Sequence, residues 1–385
     1  MRKLMLVLNV LFFALSAFAQ TKSVAVCYAP DTAQAIIIFT ASDRPPILES
    51  EFSISDTTKV RFASGNLMYQ PYTRTWKLAP RQYDIVGGVQ SLADVPTSGN
   101  RHGTIWETID GVRTRCTNDG NHNKNYKGWI DLFPWGSSGW YGSEPEIGEV
   151  AYDASEPDRK NNNPKKKITG APYEVNNGNA NWKLNNSNTQ GFNGDWVNAD
   201  WGIFNNVMLG GNEDSVFRTP TLGEAKYLLA DRPNAHSLRA RARIRIPGVG
   251  AAPDTLINGI ILLPDDWDPA ILPNKDFLSD ADGCVYYSDN EYTAEEFDRI
   301  LEPLGAIFLP AAGGMSGNNS IKANRSGYYW GATPDNTSTK SYDMQFGGYD
   351  ASGAIHSDRT ERKYCRAVRL VVEIKETTPS GGGGE

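Results

Sequence analysis

Phe308-Leu309-Pro310-Ala311-Ala312-Gly313, Ser326-Gly327-Tyr328-Tyr329-Trp330-Gly331, Tyr342-Asp343-Met344-Gln345-Phe346 and Tyr364-Cys365-Arg366-Ala367-Val368-Arg369-Leu370-Val371 are apolar runs set among Gly- and Asn-containing stretches. Together they read as one compact β-structure that closes on a buried terminal strand. Along that strand Arg366, Val368, Leu370, Val372 and Ile374 share one face, and Cys365, Ala367, Arg369 and Val371 share the other. Both faces are largely apolar, which places the strand at the centre of a sheet rather than at its edge.

Working outward, two helices are signalled by capping boxes. Thr221 with Glu224 precedes Ala225-Lys226-Tyr227-Leu228-Leu229, and Thr293 with Glu296 precedes Phe297, Ile300 and Leu301. From Lys59 the pattern is strand-like: Val60 and Phe62 alternate with Arg61 and Ala63, Ser64-Gly65-Asn66 bends, and Trp76-Lys77-Leu78 returns. Residues 97–127 and 155–206 are rich in Asn, Gly, Lys and Trp without periodicity, and read as long surface insertions. Residues 21–51 hold two apolar runs, Val24–Val26 and Ile36–Phe39, too few to bury a core of their own.

These motifs, taken in order, resemble the Fibrobacter succinogenes major paralogous domain family and its Bacteroidetes relatives. The opening strand Lys59–Leu67 is similar to that family's first strand. Trp129-Ile130-Asp131-Leu132-Phe133-Pro134-Trp135-Gly136 and Ala199-Asp200-Trp201-Gly202 are similar to its central motifs. Phe217-Arg218-Thr219-Pro220-Thr221-Leu222-Gly223-Glu224 resembles the start of its helix, and Leu262-Leu263-Pro264-Asp265-Asp266-Trp267 and Tyr292–Phe297 complete the series. The resemblance runs from about Phe52 to Ile374. It implies an α+β, C-type-lectin-like fold of the formylglycine-generating-enzyme class: a twisted antiparallel sheet, two flanking helices and long loop insertions. That fold hosts enzymes, lectins and adhesins, so it does not fix an activity.

The amino terminus reads as a secretory signal over residues 1–19, with Arg2 and Lys3, an apolar stretch from Leu4 to Leu15, and Ala17-Phe18-Ala19 before Gln20. The expected order is then an arm over 20–51, the lectin-like domain over 52–375 and a flexible Gly-rich tail over 376–385. Removing Arg2 and Lys3 takes the formal charge from −7 to −9. A mildly acidic secreted, periplasmic or cell-surface protein has no general attraction for nucleic acid, and no membrane span is expected in the mature chain. Cys27, Cys116, Cys284 and Cys365 form no C-x-x-C pair, and allow three disulfide connectivities. They read as buried or structurally paired.

A glycan or protein partner is expected at the C-terminal loops, 315–326 and 333–340. Asn318, Asn319, Asn324 and Asn336 offer amides there, and Tyr328 offers an aromatic face. A second candidate is the stripe Arg239, Arg241, Arg243 and Arg245, which alternates with apolar residues and puts guanidinium groups on one strand face. Arginine forks fit anionic glycans, although such a stripe is more often a solvated face. No resident cofactor is expected, but Asp280-Ala281-Asp282-Gly283 with Glu291, or Asp265-Asp266, are oxygen-rich enough for calcium. Their ordinary role is turn formation. Gly248-Val249-Gly250 lacks the third glycine of a dinucleotide turn and reads as a loop. Two rivals remain: a formylglycine-generating-type enzyme, which needs a reactive thiol at Cys365, and a structural surface or pilus-associated subunit that exchanges residues 21–51.

Overall fold

In the computed structural model, residues 364–374 are the place where stretches from far apart in the chain meet. The structure describes residues 26–27, 36–37, 45–70, 75–85, 105–109, 112–116, 129–136, 191–192, 200–204, 207–208, 216–251, 253–268, 277–316, 319–321, 323–336, 340–347, 355–362 and 364–374. The expected signal segment, the Gly-rich tail and most of the two Asn-rich insertions lie outside them.

Two units divide the chain, Met1–Arg44 and Pro45–Glu385. In the first, Val26–Cys27, at the end of the first apolar run, pairs antiparallel with Ile36–Ile37 of the second. The second begins earlier than residue 52. Ser64 N–H donates to Pro46 C=O and Leu48 N–H to Phe62 C=O, so residues 45–51 already belong to it.

The architecture of the second unit is α+β, with strands dominating. A four-stranded sheet has the order Glu291–Thr293, Arg239–Ile246, Thr255–Leu262, Ile307–Pro310. Its first pair is parallel and the others antiparallel. A three-stranded antiparallel sheet joins Ser326–Pro334, Lys340–Gly347 and His356–Glu361. A third sheet sets Val371–Glu373 beside Lys59–Phe62 and Phe52–Ser53. Leu67–Gln70, Thr75–Leu78 and Val207–Met208 form a fourth. Inside the stretch expected to be a bare loop, Ile105–Ile109 pairs with Val112–Cys116 as a tight hairpin. Ile105-Trp106 and Val112 carry strand propensity there that the surrounding polar composition hides.

Both capping boxes form. Thr221 Oγ1 accepts from Glu224 N–H at 3.3 Å, and the Glu224 carboxylate accepts from Thr221 N–H at 2.7 Å. Thr293 and Glu296 repeat the pattern at 3.1 and 2.7 Å. Each short helix then widens into a π-turn, Tyr227–Asp231 and Phe297–Leu301, which buries Leu228 and Leu229 in one case and Phe297 and Leu301 in the other.

The terminal segment is central, as its two apolar faces predict, but only Val371–Glu373 is a regular strand. The cause is a change of partner at almost every residue. Arg366 exchanges backbone bonds with Phe133, Ala367 with Tyr328 and Trp330, and Val371 with Arg218. Val368 C=O accepts from Leu67 N–H and Leu370 C=O from Ala63 N–H. Residues from Cys365 to Val371 are therefore buried irrespective of face, while Val372 is half-buried and Glu373 exposed.

A buried cation sits in the middle of this segment. Arg369 is 3 % exposed. Its Nε donates to Asn66 Oδ1 at 2.9 Å, Nη1 to Ala63 C=O at 3.1 Å, and Nη2 to Gln82 C=O at 3.1 Å and Phe308 C=O at 2.9 Å. Asn66 Nδ2 in turn donates to Tyr329 Oη, whose hydroxyl donates to Pro310 C=O. Gly327 shows how tight the adjoining packing is, since a Cβ there would enter the Phe346 ring.

Leu370 is fully buried between these partners. Leu370→Ala is expected to destabilise the fold by about 2–5 kcal/mol, read from the urea midpoint. A loss below roughly 0.5 kcal/mol, the range of surface substitutions, would contradict the placement.

Candidate functional site

The arginine stripe shares one strand face as expected, but that face is covered. Residues 277–293 fold back over it, fixed by Asn290 Nδ2, which donates to Arg241 C=O and Leu278 C=O. Arg239 and Arg241 are 4 % and 6 % exposed. Arg239 donates to Asp280 Oδ2 through Nε at 3.0 Å and Nη2 at 2.7 Å, and through Nη1 to Leu229 C=O. Arg241 Nη1 donates to Cys284 C=O at 3.3 Å. Arg243 pairs with Glu291 at 2.5 Å, and Arg245, the exposed member, pairs with the same carboxylate. The reading of Arg239, Arg241 and Arg243 as a solvated, glycan-facing row is thus corrected: Arg239 and Arg243 are paired with Asp280 and Glu291, and Arg241 is buried against Cys284 C=O with its Nη2 unbonded.

The acidic loops are occupied by protein groups. Asp280 holds Arg239, Asp282 Oδ2 accepts from Ser279 N–H and Oγ–H, and Asp265 accepts from Ser53 and Arg232. Gly283 at φ +88° and Gly250 at φ +66° mark turns, the role read for both loops. Among the described residues no group of three or more His, Cys, Asp or Glu side chains is placed to hold a metal ion.

At the C-terminal loops the candidate residues separate. Asn336 is exposed beyond Pro334, and its N–H donates to Asp335 Oδ1 at 2.9 Å. The backbone of Asn319 pairs opposite Ser316, while its side chain and all of Asn318 lie outside the described residues. Asn324 is not at the surface. It is fully buried with φ 58°, a left-handed conformation that Asn tolerates better than most residues. Its Oδ1 accepts from Asn258 N–H at 2.7 Å and its Nδ2 donates to Leu256 C=O at 2.9 Å. Tyr328 is also buried, with the Arg366 guanidinium 4.3 Å from its ring centre. Both residues are therefore structural, because the strand Ser326–Pro334 runs through the interior. Trp330 is core, and its Nε1–H donates to Phe133 C=O at 2.7 Å.

Sequence reading missed a buried acid–base pair in the same sheet. Asp343 accepts from Arg366 Nε at 3.2 Å, from Gln345 Nε2 at 3.0 Å and from Thr360 Oγ1 at 3.1 Å. Burial pushes the Asp343 carboxyl up to about 6, against the pull of Arg366. Asp200 behaves alike: burial raises it to about 6 although Thr219 and Gly202 donate to it. The available signal was charge inside apolar runs, as in Tyr342-Asp343-Met344 and Cys365-Arg366-Ala367.

Cys284 and Cys365 are buried thiols outside any disulfide, the buried one of the two alternatives read from the sequence. Burial pushes Cys365 up to about 12 and Cys284 up to about 11, so both stay protonated at neutral pH. The side chains of Cys27 and Cys116 lie outside the described residues.

Beside the pair Asp343–Arg366 lies an apolar cleft of about 50 Å³. Leu222, Ala225 and Leu228 of the capped helix form one wall, and Trp330, Tyr342 and Met344 of the sheet form the other. Nothing in the sequence signals it, since its walls are assembled from segments far apart.

No family model, no curated protein and no solved structure matches the chain.

Two outcomes are expected from these surroundings. Alkylation of the folded protein at pH 8, mapped by mass spectrometry, should leave Cys284 and Cys365 unmodified and label both once guanidinium is added. Separately, Asp343 holds its proton more tightly folded than unfolded. The folded state then binds more protons between about pH 4 and 6, and stability falls as pH rises through that window. Asp343→Asn should reduce that slope in urea titrations, leaving the share that Asp200 contributes in the same sense, and an unchanged slope would count against the buried carboxyl.

Proposed function

We propose that the chain is a secreted or cell-surface, non-enzymatic binding protein with a C-type-lectin-like fold, recognising a glycan or protein partner through its C-terminal loops. The observation that carries this reading is how the buried ionisable groups are used. Asp200, Asp343, Arg239, Arg366 and Arg369 all bond to the protein's own backbone and side chains. They build a rigid scaffold, and recognition is left to loop residues such as Asn336. The two capped helices and the antiparallel sheets support the lectin-like topology. The export signal at residues 1–19 supports the location.

The enzyme reading needs a thiolate, and the burial of Cys365 works against one. A second reading, a structural surface or pilus-associated subunit, is favoured by a separate observation. The first unit carries a pair of two-residue strands, Val26–Cys27 and Ile36–Ile37, too short to be stable alone and suited to joining another sheet.

A glycan array probed with the mature protein, with and without calcium, tests the main reading. Changing Asn318, Asn319 and Asn336 together to alanine should leave the melting temperature nearly unchanged. It should weaken ligand binding by about 0.5–1.5 kcal/mol per hydrogen bond lost. The comparison is Arg245→Gln, the one exposed arginine of the stripe. Loss of binding in that variant alone, with strong salt dependence, would move the site to the basic strand.

A further inference from the structure

We draw no further inference here: the strongest candidate, the side-chain cluster under residues 277–293 where the buried Arg241 guanidinium leaves its Nη2 without a bond, belongs to the covered arginine row already described, and nothing in the structure shows what would bond that nitrogen.

Discussion

A guanidinium in the core sets the terms for the rest of the structure. Arg369 carries a charge where water cannot reach it, and its bonds go to uncharged oxygens: Asn66 Oδ1 and the carbonyls of Ala63, Gln82 and Phe308. Burial lowers its basicity to about 10, which still leaves it charged at neutral pH. Such a cation is tolerable only if its donors are satisfied, and the four oxygens need it in return. Each acceptor left without a partner would cost about 1–3 kcal/mol. The bend at Ser64–Asn66, the turn near Gln82, the strand at Ile307–Pro310 and the terminal segment are therefore held to one another by the same group. Gln82 extends the knot, its Oε1 accepting from Phe308 N–H at 2.8 Å and its Nε2 donating to Ala306 C=O at 3.1 Å.

The same arrangement explains why the terminal segment is central without being a regular strand. Sheet pairing asks a neighbour to run alongside for several residues. Here the segment is clasped by Phe133, then Tyr328 and Trp330, then Leu67 and Ala63, then Arg218, each for a residue or two. The helix at Leu222–Lys226 follows directly on Arg218–Pro220, so it is fixed by that last contact. Its distance from the sheet is set by a bond from Leu222 N–H to Thr333 Oγ1 at 2.9 Å. The cleft is the space left between these two walls, which meet in the core at Leu228 and Trp330.

What could be read in the sequence was whatever depends on neighbours a few residues away. The capping boxes at Thr221 and Thr293 were legible because donor and acceptor are three residues apart. The centrality of Val368–Val371 was legible because burial on both faces leaves its mark in composition. The fate of the arginine stripe was not, since the carboxylate that neutralises Arg239 is 41 residues away. Asn324 looked like a surface amide because its partner, Asn258, is 66 residues away. Alternation says which side of a strand a residue takes, and says nothing of what later covers that side. Residues 45–51, read as the end of an arm, bond to Lys59–Ser64 from 8 or more residues away, which local pattern does not show.

The clasp on the terminal segment also governs when the protein can fold. Arg369 and Asn66 are 303 residues apart, so the knot cannot close until almost the whole chain has been made. At synthesis rates of roughly 5–20 residues per second, the early strands would wait about 15–60 s for their last partner. Contacts of such long separation are also slow to form once the chain is complete. During that interval Ala63, Asn66, Gln82 and Phe308 lack the cation that joins them. The residues that lock the fold are thus the last to arrive.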